Sequence, residues 1–150
     1  MQNQNPFKFF IIDNDVFRAK MHEQYLLNLN YSNITCFSNG NDCLINLNQN
    51  PDIIFLDHNV DGITALEVLK KIKRYNSTIY VTMVSSQQNI KIAVDALDYG
   101  AYDYIFKDHL VYDKMTLIIN KISQEKEAMK KLTSTFIEIS KNEFLDPSLA

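Results

Sequence analysis

The sequence predicts an α/β fold in which a doubly wound, five-stranded parallel sheet carries helices on both faces. The first observation is the alternation along the chain between short apolar runs and longer amphipathic segments. The second is that these runs are continuous and rich in Ile, Val and Phe, which is typical of strands buried on both faces of a sheet. The third is the shortness of the connections, which favours right-handed crossovers within one sheet.

Composition and charge fit such a fold and exclude several classes of protein. A length of 150 residues and a hydrophobic content of 46% predict one domain with a substantial core. The net charge of -3 gives the chain no overall basic character, so direct binding of nucleic acid is not expected. We expect a cytoplasmic protein, because no basic leader and no apolar run long enough for a membrane span occur in the chain. Cys36 and Cys43 fit neither a disulfide framework nor a zinc site, so buried reduced thiols are expected.

The first half of the chain is predicted to contain strands over residues 7–13, 33–37 and 53–56. The first helix is expected to begin at Asp15, whose side chain is a good N-cap. Turn residues at 38–41 lead into a short second helix, which ends before Pro51. The apolar residues that recur at every fourth position of the first helix are expected to face the sheet; they are Phe17, Met21, Tyr25 and Leu29.

The second half is predicted to add strands over residues 79–84 and 102–106. The third helix precedes the first of these strands, and the fourth covers residues 88–99, with Gly100 as its C′ residue. A last helix is expected to begin near Val111 and to continue to about Leu132. The residues expected to face inward from the third and fourth helices are Leu66, Leu69 and Ile72, and then Ile90, Ala93 and Leu97.

The last helix carries a longer apolar pattern than one compact domain needs. Alternating spacings of three and four predict an apolar seam, interrupted by Glu125, that could form a helical stalk or a homodimer contact. We therefore expect a domain over residues 1–123 and a helical extension or tail over 124–150. A frayed tail is the alternative, because residues 133–135 are weak helix formers. The seam residues are Met115, Ile118, Ile122, Met129, Leu132, Phe136 and Ile139.

Four of the predicted strands end in residues that bind metals or phosphate. Asp13, Asp57, Ser85 and Lys107 each follow directly on an apolar run. In an open α/β sheet, ligands bind beyond the carboxyl ends of the strands, so these four side chains are expected to converge. Two carboxylates, a hydroxyl and an ammonium at one site fit Mg²⁺-dependent phosphorylation of an aspartate.

These residues resemble the pattern of response-regulator receiver domains of two-component signalling systems, over about residues 8–122. The matching positions are the acidic cluster 13–15, Asp57, Ser85, Tyr104 and Lys107, together with the segment 100–104 that leads into the last strand. The resemblance implies a flavodoxin-like sheet with strand order 2-1-3-4-5. It also implies a signalling phosphoprotein that is not an enzyme.

The resemblance assigns roles at the site. Asp57 would accept a phosphoryl group from a sensor histidine kinase or a histidine phosphotransfer protein. Mg²⁺ would be held by Asp13, Asp57 and the backbone carbonyl of Asn59. Ser85 and Lys107 would contact the phosphoryl group, and Tyr104 would be the aromatic switch. A surface of helix 4, strand 5 and helix 5 would then pass the signal to a downstream protein partner. A stand-alone receiver and the receiver portion of a longer protein both fit this interpretation.

The chain departs from the family pattern in three places. Asn14 replaces the second acid after strand 1; its amide oxygen is a further candidate ligand but brings no charge, so weaker metal binding is expected. The loop after Asp57 lacks a proline and has its glycine at Gly62, which reshapes the border of the metal site. Asp108 follows Lys107 where the family has a proline with a cis bond, so a trans bond is expected here.

Two alternative functions fit parts of the pattern. The run from Phe10 to Val16 also resembles the first motif of haloacid-dehalogenase-type phosphatases, with Asp13 as the nucleophile and Asp15 as the general acid/base. A receiver-like interaction module without phosphorylation is the second alternative, supported by the three departures. Asp15 is expected to be an N-cap rather than a metal ligand. Among the histidines, His58 is expected to be structural, and His22 and His109 are expected to lie at the surface.

Overall fold

The computed structural model describes residues 7–58, 63–86 and 89–145, with side chains as far as residue 143. Strands and helices alternate through the described residues, and a 3-10 turn at Leu47–Gln49 follows the second helix. The elements are β1 (Lys8–Ile12), α1 (Val16–Asn28), β2 (Asn33–Phe37), α2 (Gly40–Ile45), β3 (Ile53–Asp57), α3 (Ala65–Tyr75), β4 (Tyr80–Ser85), α4 (Ile90–Asp98), β5 (Asp103–Phe106) and α5 (Val111–Leu145).

The five strands form one parallel sheet in the order β2-β1-β3-β4-β5, which confirms the predicted fold class. The register places the carboxyl ends of neighbouring strands side by side. Ile12 of β1 pairs with Leu56 of β3, and Asp57 pairs with Val84 of β4. The sheet order reverses between β1 and β3, which is where open α/β sheets bind ligands.

Alternate side chains of the strands enter two cores. On one face, Phe10 and Ile54 belong to a cluster that also takes in buried residues of α2, α3 and α4. The opposite set includes Phe9 and Phe55, whose stacked rings lie 6.2 Å apart, and Tyr31, which meets Phe9 edge-on. Both sets are almost fully buried, as expected for the interior strands of a parallel sheet.

The buried face of α1 differs from the predicted one. Ala19, His22 and Leu26 are the buried residues of this helix, whereas Phe17 is 75% exposed and Met21 is 45% exposed. A helix turns about 100° per residue, so a strict spacing of four drifts by about 40° at each step and leaves the core face. The buried set follows spacings of three and four, which hold one face.

The predicted inward face of α4 is also wrong. Ile90 is 81% exposed and Leu97 is 48% exposed, while Ala96 is the buried residue of the helix. The prediction of Gly100 as the C′ residue is confirmed. Gly100 has a φ of 100° and donates to the carbonyl of Leu97, and Ala101 donates to the carbonyl of Ala96, so two helix-end carbonyls are satisfied.

By its internal contacts, the chain divides into two compact units, Met1–Tyr112 and Asp113–Ala150. The described part of the second unit is α5 from its third residue onward, and this helix reaches Leu145, beyond the predicted end at about Leu132. Met115, Ile118, Ile119 and Ile122 are buried, whereas the later apolar residues are exposed. None of the helices in the described residues combines the length and the hydropathy that a membrane span requires. The exposed apolar residues are Met129, Leu132, Phe136, Ile137 and Ile139.

Both cysteines are free thiols. Cys43 is fully buried between α2 and the sheet, and burial raises its pKa to about 12. Cys36 is half-buried and donates to a carboxylate oxygen of Glu23 at 3.1 Å. Burial, together with that carboxylate, raises the Cys36 pKa to about 12. Thiols held this far from the thiolate form are poor nucleophiles.

Candidate functional site

The carboxyl ends of β1 and β3 bring two buried carboxylates together. Asp13 and Asp57 are each 2% exposed. Lys107, directly after β5, donates to Oδ2 of Asp57 from its Nζ at 2.5 Å. The Lys107 side chain is 11% exposed, so this ion pair is largely removed from water. The Lys107 ammonium therefore offsets part of the negative charge of the Asp57 carboxylate.

Arg18 also belongs to this site, and sequence reasoning missed it. Its Nε donates to Oδ2 of Asp13 at 2.6 Å, and its Nη2 donates to Oδ1 of the same residue at 2.9 Å. The same Nη2 donates to Oδ2 of Asp57 at 2.8 Å. One guanidinium therefore bridges both carboxylates, in the forked geometry that arginine forms with acids.

The first turn of α1 positions Arg18. Asp15 is the N-cap, as predicted, and its Oδ1 accepts from the backbone N–H of Arg18 at 3.1 Å. The backbone N–H of Asp15 in turn donates to Oδ1 of Asp13 at 2.9 Å. Capping therefore fixes the start of the helix directly beside the buried acid. A side chain one turn into the helix then reaches back over the strand end.

Burial and the neighbouring groups shift the pKa values in this cluster in opposite directions. Burial raises the pKa of the Asp13 carboxyl, against the lowering effects of the Arg18 guanidinium and the Asp15 amide. The hydrogen bonds to Asp13 raise the pKa of Arg18 above its ordinary value. With the acids ionised, two carboxylates face two cations, Arg18 and Lys107.

Ser85 and Tyr104 lie at the adjoining edge of the sheet. Ser85 is fully buried as the last residue of β4, and its carbonyl accepts from the backbone N–H of Lys107 at 2.8 Å. Tyr104 is half-buried against the core, with its ring centroid 5.9 Å from that of Phe106. The phosphate-contact and switch roles of these two residues stay predictions.

The other predicted positions have mixed outcomes. Asn14 is exposed beside the site. Asn59, the predicted carbonyl ligand, and Gly62 in the reshaped loop lie outside the described residues. The described residues contain no cis peptide bond, so the bond between Lys107 and Asp108 is trans, as predicted. Asp108 lies in the turn before α5. Its Oδ1 accepts a hydrogen bond from the backbone N–H of Leu110, and its carbonyl accepts one from the backbone N–H of Val111.

His22 is buried, which contradicts its predicted surface position. It is 4% exposed, its ring meets that of Tyr112 edge-on, and its Nδ1 has no hydrogen-bond partner among the described residues. Burial, followed by the charges of Lys107 and Arg18, lowers the His22 pKa to about 4, while Asp57 opposes the shift. His109 is exposed and His58 half-buried.

The burial of His22 predicts a stability loss in mild acid. The folded-state pKa lies below the unfolded value of 6.5, so the unfolded chain binds more protons between pH 6.5 and about 4. The free energy of unfolding should therefore fall as the pH drops from 6.5 to about 4, and this residue should account for at most about 3 kcal/mol of the loss. Urea unfolding at several pH values measures this loss. The free energy of unfolding should depend less on pH in His22→Phe than in His109→Gln, which alters an exposed histidine. Equal slopes in the two variants would contradict the assignment.

The site has the right donor atoms for a hard cation. Asp13 Oδ1 and Asp57 Oδ2 lie 2.9 and 2.8 Å from the same Arg18 nitrogen, so oxygens of two carboxylates already converge on one cationic position. Mg²⁺ prefers such oxygens and needs few from the protein. Asp13 and Asp57 would therefore hold it. No cluster of three or more His, Cys, Asp or Glu side chains suited to a metal occurs in the described part of the chain.

Known proteins with similar sequences and folds include many signalling regulators. The sequence model of one protein family, the response regulator receiver domain, matches residues 9–120 of this chain. The DNA-binding transcriptional regulator NtrC of Salmonella typhimurium is 31% identical over 94 residues, which are 62% of this chain and 20% of that protein. NtrX of Azorhizobium caulinodans is 37% identical over 92 residues, 57% of this chain and 20% of NtrX. The chain thus spans about a fifth of the length of these two relatives.

Solved structures show the same fold. A CheY-like receiver domain from Methanospirillum hungatei has a TM-score of 0.72 at 19% identity, covering 81% of this chain and 98% of that one. A chain of the CheX–CheY–BeF3–Mg²⁺ complex from Borrelia burgdorferi has a TM-score of 0.72 at 25% identity, covering 78% of this chain and 89% of that one. The family model covers well over half of the chain and coincides with the observed sheet. The chain therefore belongs to the response regulator receiver domain family of two-component signalling systems.

Proposed function

We propose that Asp57 accepts a phosphoryl group from a phosphohistidine of a sensor histidine kinase or a histidine phosphotransfer protein. The observation that carries this proposal is the buried Asp57 carboxylate, held at 2.5 Å by Lys107 at the carboxyl edge of the sheet. In the transfer, a carboxylate oxygen forms the new bond to phosphorus as the phosphorus–nitrogen bond breaks. The bonding electron pair returns to the imidazole of the donor.

The residues around Asp57 lower the barrier by removing repulsion between anions. Lys107 neutralises charge on the attacking carboxylate and can follow it to the phosphoryl oxygens. Ser85 is buried at the end of β4 and pairs with Phe106, the residue before Lys107, so its hydroxyl would donate a hydrogen bond to a phosphoryl oxygen. Bound Mg²⁺ would supply further charge neutralisation between Asp13, Asp57 and the phosphoryl group. The Mg²⁺ in the Borrelia CheY complex supports this choice of metal.

We propose that phosphorylation changes the surface that a partner protein binds, and that the domain itself catalyses no further reaction. Receiver domains are signalling domains, and the family match over residues 9–120 disfavours the phosphatase alternative, in which Asp13 would be the nucleophile. The α4 helix exposes Ile90, Val94 and Leu97, a surface suited to a downstream protein partner. The NtrC relatives are DNA-binding regulators, but the net charge of this chain is -3, so we propose a protein rather than a nucleic acid as its partner. A cytoplasmic location is the setting we propose.

Incubation with acetyl phosphate and Mg²⁺ tests the phosphoacceptor. The intact chain should gain the mass of one phosphoryl group, and Asp57→Asn should gain none. Asp98→Asn, which alters an exposed acid at the end of α4, should behave like the wild type. Undiminished labelling of Asp57→Asn would reject Asp57 as the acceptor. A folded wild type that takes no label at saturating Mg²⁺ would favour the phosphorylation-independent interaction module.

We further propose that α5 mediates a homodimer. Its exposed residues Met129, Leu132, Phe136 and Ile139 follow the alternating spacing of a coiled-coil seam. A long helix that leaves such a stripe in water gains stability by pairing it with a second copy. The seam is short and contains a polar break at Glu125, so the dimer should be weak.

Sedimentation equilibrium at rising protein concentration tests this dimer. The wild type should show an increasing mass average that approaches twice the monomer. Phe136→Asp places a charge in the seam and should keep the chain monomeric. Ser134→Asp adds the same charge on the outer side of the helix and should leave association unchanged. A wild type that stays monomeric at high concentration would contradict the proposal.

A further inference from the structure

We propose that Arg18 is a built-in competitor of Mg²⁺, so that the metal binds only when the guanidinium leaves Asp13 and Asp57. The inference rests on the proposed function in one respect, namely that Asp13 and Asp57 form the metal-binding side of the phosphorylation site. It adds a residue that neither the family pattern nor the sequence reasoning assigns. It also gives the site a resting state closed by the chain's own cation.

The first support is the occupation of the ligand atoms. Both carboxylate oxygens of Asp13 accept from Arg18, at 2.6 and 2.9 Å, and Oδ1 also accepts from the backbone N–H of Asp15. Oδ2 of Asp57 accepts from Arg18 at 2.8 Å and from Lys107 at 2.5 Å. A cation shared by Asp13 and Asp57 would need the place that Arg18 Nη2 holds.

The second support is the balance of charge. Asp13 and Asp57 contribute two negative charges, and Arg18 and Lys107 contribute two positive charges. Asn14 adds none, where the family pattern has an acid. A divalent cation entering this buried cluster would create a local excess of two positive charges, and repulsion between charges a few ångströms apart is strong where water is scarce. Withdrawal of Arg18 removes half of that excess.

The third support is that Arg18 has somewhere to go. Its side chain is 33% exposed, unlike the two buried acids that it bridges. Its Nη1 already lies 3.8 Å from Oδ2 of Asp15, whose side chain is 49% exposed. A small rotation of the arginine therefore exchanges buried partners for an exposed carboxylate at the N-cap of α1. The hydrogen bond from the backbone N–H of Arg18 to Oδ1 of Asp15 need not break.

Calorimetric titration of the full chain with Mg²⁺, without any phosphodonor, tests the competition. Arg18→Gln keeps a polar side chain of similar length but removes the charge, and we expect its Mg²⁺ affinity to rise by at least about tenfold. Arg74→Gln removes the same charge from an exposed position at the end of α3 and should bind Mg²⁺ like the wild type. Equal affinity of Arg18→Gln and wild type would overturn the inference.

Two further measurements keep the test decisive. Circular dichroism shows whether Arg18→Gln is folded; if it is not, Arg18→Lys retains the charge but lacks the fork, and its Mg²⁺ affinity should rise by a smaller factor. An Arg18→Lys affinity equal to that of the wild type would then overturn the inference. The titration is independent of phosphoryl transfer. Tighter Mg²⁺ binding without label on Asp57 would reject the proposed function and keep this one, and label without an affinity change would do the reverse.

Discussion

Replacing Lys107 with methionine is expected to slow phosphorylation of Asp57 by acetyl phosphate by about 10²- to 10³-fold. The Nζ of Lys107 lies 2.5 Å from the acceptor carboxylate, and both side chains are nearly buried. Its ammonium is therefore placed to offset negative charge as the bond to phosphorus forms. Methionine keeps much of the length and apolar character of the side chain while removing that charge. Initial rates of acyl phosphate formation at saturating Mg²⁺ measure the effect.

Lys71→Met provides the matched control for this change. Lys71 is exposed on α3, so its loss changes the net charge equally without touching the site. Its rate should equal that of the wild type within about twofold, because exposed charges are largely screened. If Lys107→Met retained the wild-type rate in a folded protein, Lys107 would have no part in the transfer.

Replacing Leu26 with alanine is expected to lower the free energy of unfolding by about 2–5 kcal/mol. Leu26 is fully buried on α1, and alanine would leave a cavity among closely packed side chains. The change also tests the orientation of α1, because the spacing-of-four prediction placed a different face against the sheet. Urea unfolding followed by circular dichroism measures the difference.

The neighbouring leucine offers a control of the same chemistry. Leu27 is 40% exposed, so Leu27→Ala should change the free energy of unfolding by much less than Leu26→Ala, about 0.5–1 kcal/mol. Equal losses for the two variants would mean that α1 is rotated relative to the orientation described above.

The order of elements was predictable because each one carries a strong local signal. The strand at Asn33–Phe37 was predicted with its observed bounds, and the helix start at Asp15 and the helix end at Gly100 were both recognisable as caps. Continuous apolar runs specify buried strands without reference to the rest of the chain. Parallel strands in turn place their carboxyl ends at one edge, which located Asp57 beside Lys107.

The buried helix faces were less predictable, since α1 and α4 each offer more than one apolar stripe. Phe17 and Ile90 extend stripes that fit a helical period, yet both lie in water. Ala19 and Ala96 are buried instead, because a helix that packs closely on a sheet favours small side chains at the contact. Hydrophobicity alone ranks a large exposed residue above a small buried one and so selects the wrong face.

Arg18 escaped sequence reasoning for a related reason. An arginine one turn into an amphipathic helix has the composition of an ordinary solvated face. The available signal was its position three residues after the N-cap Asp15 and five after Asp13, which places it above the strand end. Its bridge between Asp13 and Asp57 depends on the tertiary pairing of β1 with β3, which local spacing does not encode.

The most direct measurement is the location of the phosphoryl group after reaction with acetyl phosphate and Mg²⁺. Reductive trapping of the acyl phosphate with borohydride, followed by peptide mass analysis, identifies the modified aspartate. We predict a single modified residue, Asp57, whose carboxylate Lys107 contacts, with Asp13 unmodified because it would hold Mg²⁺ during the reaction. Modification of Asp13 in place of Asp57 would contradict this prediction.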